Sequence, residues 1–120
     1  MYVIDSIIST FGDDEFKIVD ALRALGFPRY VAYTLVALLD RTPKTSRQIS
    51  QASGLRQPEV SKAIGAIRPW LEIRHDRGTR RPVDVYRLAK SLRTIMDERL
   101  EAKSKEHLEI VRVVKGVGMA

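Results

Sequence analysis

Arg56, Gln57, Ser61 and Lys62 fall within a seven-residue window, at spacings that a helix brings to one side. All four can donate hydrogen bonds, two from charged groups. A carboxamide pairs bidentately with an adenine edge, and a guanidinium or ammonium donates to guanine N7 and O6. Two further groups share this character. Ser46 and Arg47 stand where a helix is expected to begin, and the N–H groups of a helix start hold a phosphate. Arg74, Arg77, Thr79, Arg80 and Arg81 crowd a stretch whose guanidiniums suit phosphates or a narrow minor groove. Glu59 either accepts from cytosine or repels misplaced phosphates. Gly65, one turn past Ser61, either lets a duplex come close or is only tolerated.

Other chemistry is poorly supplied. The sequence has no Cys, and its two histidines, His75 and His107, are far apart and without companions, so no metal set is expected. There is no Gly-rich phosphate loop and no His beside a plausible Ser–Asp pair. The expectation is a chain that is not an enzyme, with no catalytic residue and no cofactor. His75 reads as a strand residue and His107 as helix surface.

The elements that must position these donors begin with residues 45–68, which read as two short amphipathic helices broken at Ser53-Gly54-Leu55. Apolar residues recur at Ile49, Ala52 and Leu55, then at Val60, Ala63, Ile64 and Ile67, giving each segment one stripe to bury. Thr45 or Ser46 suits an N-cap, Gly54 a left-handed C-cap, and Pro58 a first helical turn. Arg68 is expected to turn extended because Pro69 follows it, and Trp70 and Leu71 to fold back as a core plug. Two helices joined by a short Gly-containing turn form a helix-turn-helix, whose second helix, here 57–68, enters the major groove in DNA-binding versions. Ile73, the turn Asp76-Arg77-Gly78-Thr79, and Val83, Val85 and Tyr86 then predict a β-hairpin, a wing over 73–87.

Around this motif the chain reads as helix. Residues 1–26 form an N-terminal helical region with Ile4, Ile7 and Ile8, a break at Thr10-Phe11-Gly12, and a helix opened by Asp13, Asp14 and Glu15. Its stripe is Phe16, Val19, Leu22 and Leu25. Residues 28–41 form an apolar helix that starts at Pro28 and places Tyr30 and Tyr33 in the core. From Ala89 to about residue 115 a long helix carries Leu92, Ile95, Met96 and Leu100, then Leu108, Val111 and Val114. Its polar centre excludes a strict heptad coil, and its apolar ends predict packing on the N-terminal helices of a second copy. The expected fold class is mainly α with a small β-hairpin. It is a single-domain winged helix-turn-helix, with its core at 28–88 and a long C-terminal dimerisation helix over 89–115.

The net charge of +6 is unevenly spread. Residues 1–40 carry net −3, residues 41–90 net +8, and residues 91–120 net +1. A cationic surplus that coincides with the motif and the wing is the electrostatic footprint of a nucleic-acid binder. The start Met1-Tyr2-Val3-Ile4-Asp5 lacks a basic leader and no run is apolar enough to span a membrane, so a cytoplasmic protein is expected.

Leu25-Gly26-Phe27-Pro28-Arg29-Tyr30-Val31-Ala32-Tyr33 resembles the leading helix of archaeal TrmB-like regulators. Thr45…Ile49…Ala52-Ser53-Gly54-Leu55…Val60-Ser61-Lys62-Ala63-Ile64 resembles their winged helix-turn-helix, and more loosely that of MarR-like proteins. Arg77-Gly78…Arg81-Pro82…Val85-Tyr86-Arg87-Leu88 is similar to their wing. The resemblance covers about residues 22–90 and implies a dimeric transcription regulator of duplex DNA. Arg68-Pro69-Trp70 departs from the Gly-containing exit these domains often show. The larger TrmB-like proteins also carry a sugar-binding domain that has no counterpart in this sequence, so no effector is carried over. Two other readings stand beside it. A winged-helix protein-interaction module would favour apolar or mixed residues in the wing, where this sequence has arginines. An RNA-binding platform would interleave exposed aromatics with the basic residues.

Overall fold

The computed structural model describes residues 9–76, 78 and 82–116; Ile4, Ile7 and Ile8 lie outside them. Helix α1 (Asp13–Ala24) starts where the Gly12 N–H donates to the Glu15 carboxylate at 3.0 Å, so the acidic triplet serves the helix start as expected. Val19 and Leu22 form its buried stripe. Phe16 does not join them: it is 37% exposed and meets Phe11 and Tyr33 edge-on.

Helix α2 (Arg29–Ala37) is capped by Pro28 and buried over most of its surface. It stops four residues short of the expected Arg41. The Asp40 carboxylate explains the stop, accepting from the Thr42 N–H at 2.9 Å and the Lys44 ammonium at 2.7 Å. Such local bonds compete with helical ones. Arg41 then turns the chain at φ 60°, and its guanidinium donates to the Leu88 and Ala89 carbonyls at 3.4 and 3.2 Å. A left-handed non-glycine costs about 1–2 kcal/mol, which those two bonds help to offset.

Strand β1 (Lys44–Thr45) has no counterpart in the sequence reading. Two residues carry no alternation, and they are extended because Lys44 pairs with Tyr86 and Thr45 with Val85. Helix α3 (Ser46–Ser53) begins with a reciprocal cap: Thr45 Oγ1 accepts from the Gln48 N–H at 3.2 Å, and Gln48 Oε1 from the Thr45 N–H at 2.8 Å. It ends at Gly54, left-handed at φ 79°. Inside the turn, Ser50 Oγ donates to the Leu55 carbonyl at 2.5 Å, and Ser53 Oγ accepts from the Leu55 N–H at 3.1 Å. Leu55 is fully buried, so two α3 hydroxyls satisfy a backbone that water cannot reach.

Helix α4 (Gln57–Ile67) buries Val60, Ala63, Ile64 and Ile67 against α2 and α3. Its exit corrects an expectation. Arg68 is helical (φ −46°, ψ −42°), and the chain tightens into a 3-10 turn, Arg68–Trp70. Pro69 sits early in that turn, where a missing N–H is harmless. Trp70 and Leu71 fold back against the core as expected, both half-buried, with Trp70 edge-on to Phe27 at 6.0 Å. Strands β2 (Leu71–Asp76) and β3 (Val83–Leu88) form the antiparallel wing, starting two residues earlier and ending one later than the expected 73–87, and the sheet order is β1-β3-β2.

Helix α5 (Leu92–Gly116) starts later than Ala89. The Ala89 N–H donates to the Trp70 carbonyl at 2.8 Å, which prolongs the hairpin, and Ser91 Oγ accepts from the Thr94 N–H at 3.2 Å as a cap. Leu92 and Ile95 are buried; Arg99 donates to the Leu25 and Gly26 carbonyls, each at 3.3 Å. Past that clamp Leu108, Ile110 and Val113 are each about 60% exposed. The radius of gyration, 17.7 Å, exceeds the about 14 Å of a compact chain this long, as a projecting helix requires. The architecture is thus mainly α with a small three-stranded sheet and a long C-terminal helix, a winged helix-turn-helix.

Candidate nucleic-acid interface

Burial divides α4 into two sides. With Val60, Ala63, Ile64 and Ile67 locked in the core, Gln57, Pro58, Ser61, Lys62 and Gly65 face solvent. The helical period puts Pro58, Ser61, Lys62 and Gly65 along one outward crest and Gln57 on its shoulder. Arg56, the N-cap residue, and Arg68, at the exit, are exposed at either end. Lys62 is less free than its exposure suggests: its ammonium lies 4.8 Å from the centroid of the Tyr30 ring. Tyr30 is half-buried, with its body on the core and one face beneath a cation, instead of wholly core. Such a contact is worth about 0.5–1 kcal/mol at an exposed site, so it orients Lys62 without removing it from use.

Glu59 is occupied. Oε1 accepts from the Arg56 N–H at 3.2 Å, and Oε2 from Arg29 Nη1 at 3.1 Å. The carboxylate therefore ties α4 to α2 and caps its own helix, which limits what it offers a cytosine. Arg29 also stacks over Tyr33 at 4.8 Å, which leaves Tyr33 half-buried. The sequence reading missed Arg29, since no local signal links residues so far apart in the chain.

Ser46 and Arg47 open α3, half-buried and exposed respectively. They line a cleft of about 490 Å³ with Thr45, Pro82, Val83, Asp84 and Tyr86, between the helix start and the wing. Burial, then the charge of Asp84, push the Tyr86 hydroxyl above its usual range, so it remains a neutral donor there. Asp40, outside the cleft, is held below the usual carboxylate range by its bonds from Lys44 and Thr42.

In the wing, Arg77, Thr79, Arg80 and Arg81 lie outside the described residues. Arg74 is exposed and pairs in register with Val85, on the sheet face that also carries Glu72 and Arg87. The other face bears Leu71, Tyr86 and Leu88 toward the core, with Ile73 paired to Tyr86. Arg74 is thus grouped with Arg87, a cation the sequence reading passed over, rather than with Lys62. Arg87 Nε donates to Glu72 at 3.0 Å. Of the wing carboxylates, Asp84 pairs with His75, and Asp76 accepts from the Gly78 N–H at 3.0 Å.

His75 meets a carboxylate and no hydroxyl, so among the described residues no nucleophile–base pair forms around it. Among the described residues there is also no group of three metal-ligating side chains, and no helix is long and apolar enough to cross a membrane. What the fold and this surface define is a winged helix-turn-helix whose second helix turns a polar side to solvent between two arginines. No family model matches the chain, and no curated protein matches it either. Among solved structures it is similar to the adhesin competence repressor AdcR of Streptococcus pyogenes. The two share 18% identity over 88% of this chain and 84% of that one, with a TM-score of 0.47.

Proposed function

We propose that this chain is a sequence-specific, double-stranded-DNA-binding transcription regulator that acts as a cytoplasmic homodimer. Helix α4 enters the major groove, and the wing lies on the backbone or in the minor groove. The observation that carries this reading is the division of α4, with one side packed on α2 and α3 and the other presenting Gln57, Ser61 and Lys62 to solvent between Arg56 and Arg68. The net +8 of residues 41–90 falls on the same elements. Ser46 and Arg47 hold a phosphate at the start of α3, and Arg74, Arg77, Thr79, Arg80 and Arg81 hold the flanking duplex.

Dimerisation is supported by α5. Leu100, Leu108, Ile110, Val113 and Val114 are exposed, more apolar surface than a solitary helix keeps in water. A largely apolar groove of about 450 Å³, lined by Ile18, Ala21, Leu39, Leu92 and Met96, lies between α1 and the base of α5. A two-fold dimer sets its two α4 helices about 34 Å apart, one turn of duplex.

Mobility shifts with genomic duplex fragments test the reading. Affinity is expected to fall about a thousandfold or more between ~50 and ~200 mM salt if some six phosphates are neutralised. Absence of binding to duplex at low salt refutes it.

A further inference from the structure

Gly65 occupies a helix position where glycine is a disadvantage and the fold gives no reason for it. A Cβ built at this position meets nothing within 4 Å. Its φ is not among the positive values, which among the described residues belong to Arg41, Gly26 and Gly54. It stands inside α4, two residues before the end, where alanine is the better helix former. A glycine that stands against helix propensity with open space around it leaves room for something to come close from outside. Its place on the helix says where. Gly65 lies seven residues on from Pro58 and four from Ser61, in the middle of the crest opposite Val60, Ala63 and Ile67. Lys62 beside it leans toward Tyr30, and the Gly65 backbone next to it stands bare in open space.

We infer that Gly65 is a specificity-determining residue, the point at which the α4 backbone closes onto a base-pair edge at the floor of the major groove. The inference rests on the DNA-binding reading above. With no Cβ in the way, the helix seats deeply enough for Ser61, one turn back, and Gln57 on the shoulder beyond it to reach base edges. Any side chain at position 65 lifts the helix off the floor. Because Arg56, Lys62 and Arg68 remain exposed to reach the phosphates, attraction to DNA of unrelated sequence is unaffected.

The test compares the full-length wild type with Gly65→Ala and Gly65→Leu. A preferred duplex is first selected with wild type from random sequence, and affinity for it and for an unrelated duplex is then measured beside thermal unfolding. Gly65→Ala is expected to melt about 2–4 °C higher than wild type. It should bind the selected duplex about fivefold or more weakly, as a methyl forced into a packed contact does. Binding to the unrelated duplex is expected to stay within about twofold, and Gly65→Leu to lose the selected duplex further while still folded. If the alanine variant is more stable and keeps its preference, the inference fails while the DNA-binding reading stands. If it is less stable than wild type, glycine serves the fold and the inference fails. If the wild type binds no duplex at all, both fail together.

Discussion

Replacing Ser53 by alanine removes one oxygen from the turn between α3 and α4, and its consequence follows from what that oxygen touches. Ser53 Oγ accepts from the Leu55 N–H at 3.1 Å and donates to the Ile49 carbonyl at 2.7 Å. The second bond is dispensable, since a helix carbonyl at i−4 has other uses. The first is not, because Leu55 is fully buried and its N–H is left with no water in reach. An orphaned buried donor costs about 1–3 kcal/mol, against at most about 0.5 kcal/mol gained from alanine's helix propensity. The loss wins. For a chain of 120 residues, 1 kcal/mol is about 4 °C in melting temperature, so a drop of roughly 2–10 °C from wild type is expected. Thermal circular dichroism measures it, with Ser104→Ala on the exposed side of α5 as the propensity control. If Ser53→Ala melts within about 2 °C of that control, the turn is not held by this hydroxyl and the reasoning fails.

Three further outcomes are expected. Lys62→Met should weaken duplex binding and lower the slope of log affinity against log salt by about one per protomer, measured by titration over a salt series; an unchanged slope removes Lys62 from the phosphate contacts. Leu108→Asp combined with Val113→Asp should halve the particle mass seen by light scattering, because the charges fall on the exposed apolar end of α5; an unchanged mass places the dimer contact elsewhere. Asp40 is held below its usual range when folded, so its contribution is present above the unfolded value of about 3.9 and is lost as pH falls through the folded one. Asp40→Asn should therefore flatten the acid limb of a stability–pH profile below about pH 4, and an unaltered limb contradicts the assignment.

The local signals were legible in the chain because their partners are near in sequence. Thr45 and Gln48 cap each other three residues apart, Gly54 needs only its own backbone to be left-handed, and Pro58 needs only a first turn. The stripe Val60, Ala63, Ile64 and Ile67 fixed which side of α4 would be hidden, and thereby which side would carry Gln57, Ser61 and Lys62. The contiguous strands of the wing could be read for the same reason. Where neighbours in sequence conflict with neighbours in space, the reading stopped short. The end of α2 moved because the Asp40 carboxylate found Thr42 and Lys44, and Arg68 stayed helical despite the proline after it.

By itself, then, the sequence determined the two helices of the motif, their turn, the basic wing and the long terminal helix, all of which depend on periodicity and on bonds within a few residues. Only the tertiary structure decided how the second helix is held and what remains on its outer side. Arg29 reaches Glu59 across thirty positions, Tyr30 steadies Lys62, and β1 exists because β3 lies beside it. Loop closure brings such groups together only once the core has formed, so no pattern along the chain announces them. The open space around Gly65 belongs to the same class: it is a property of what the folded surface leaves bare.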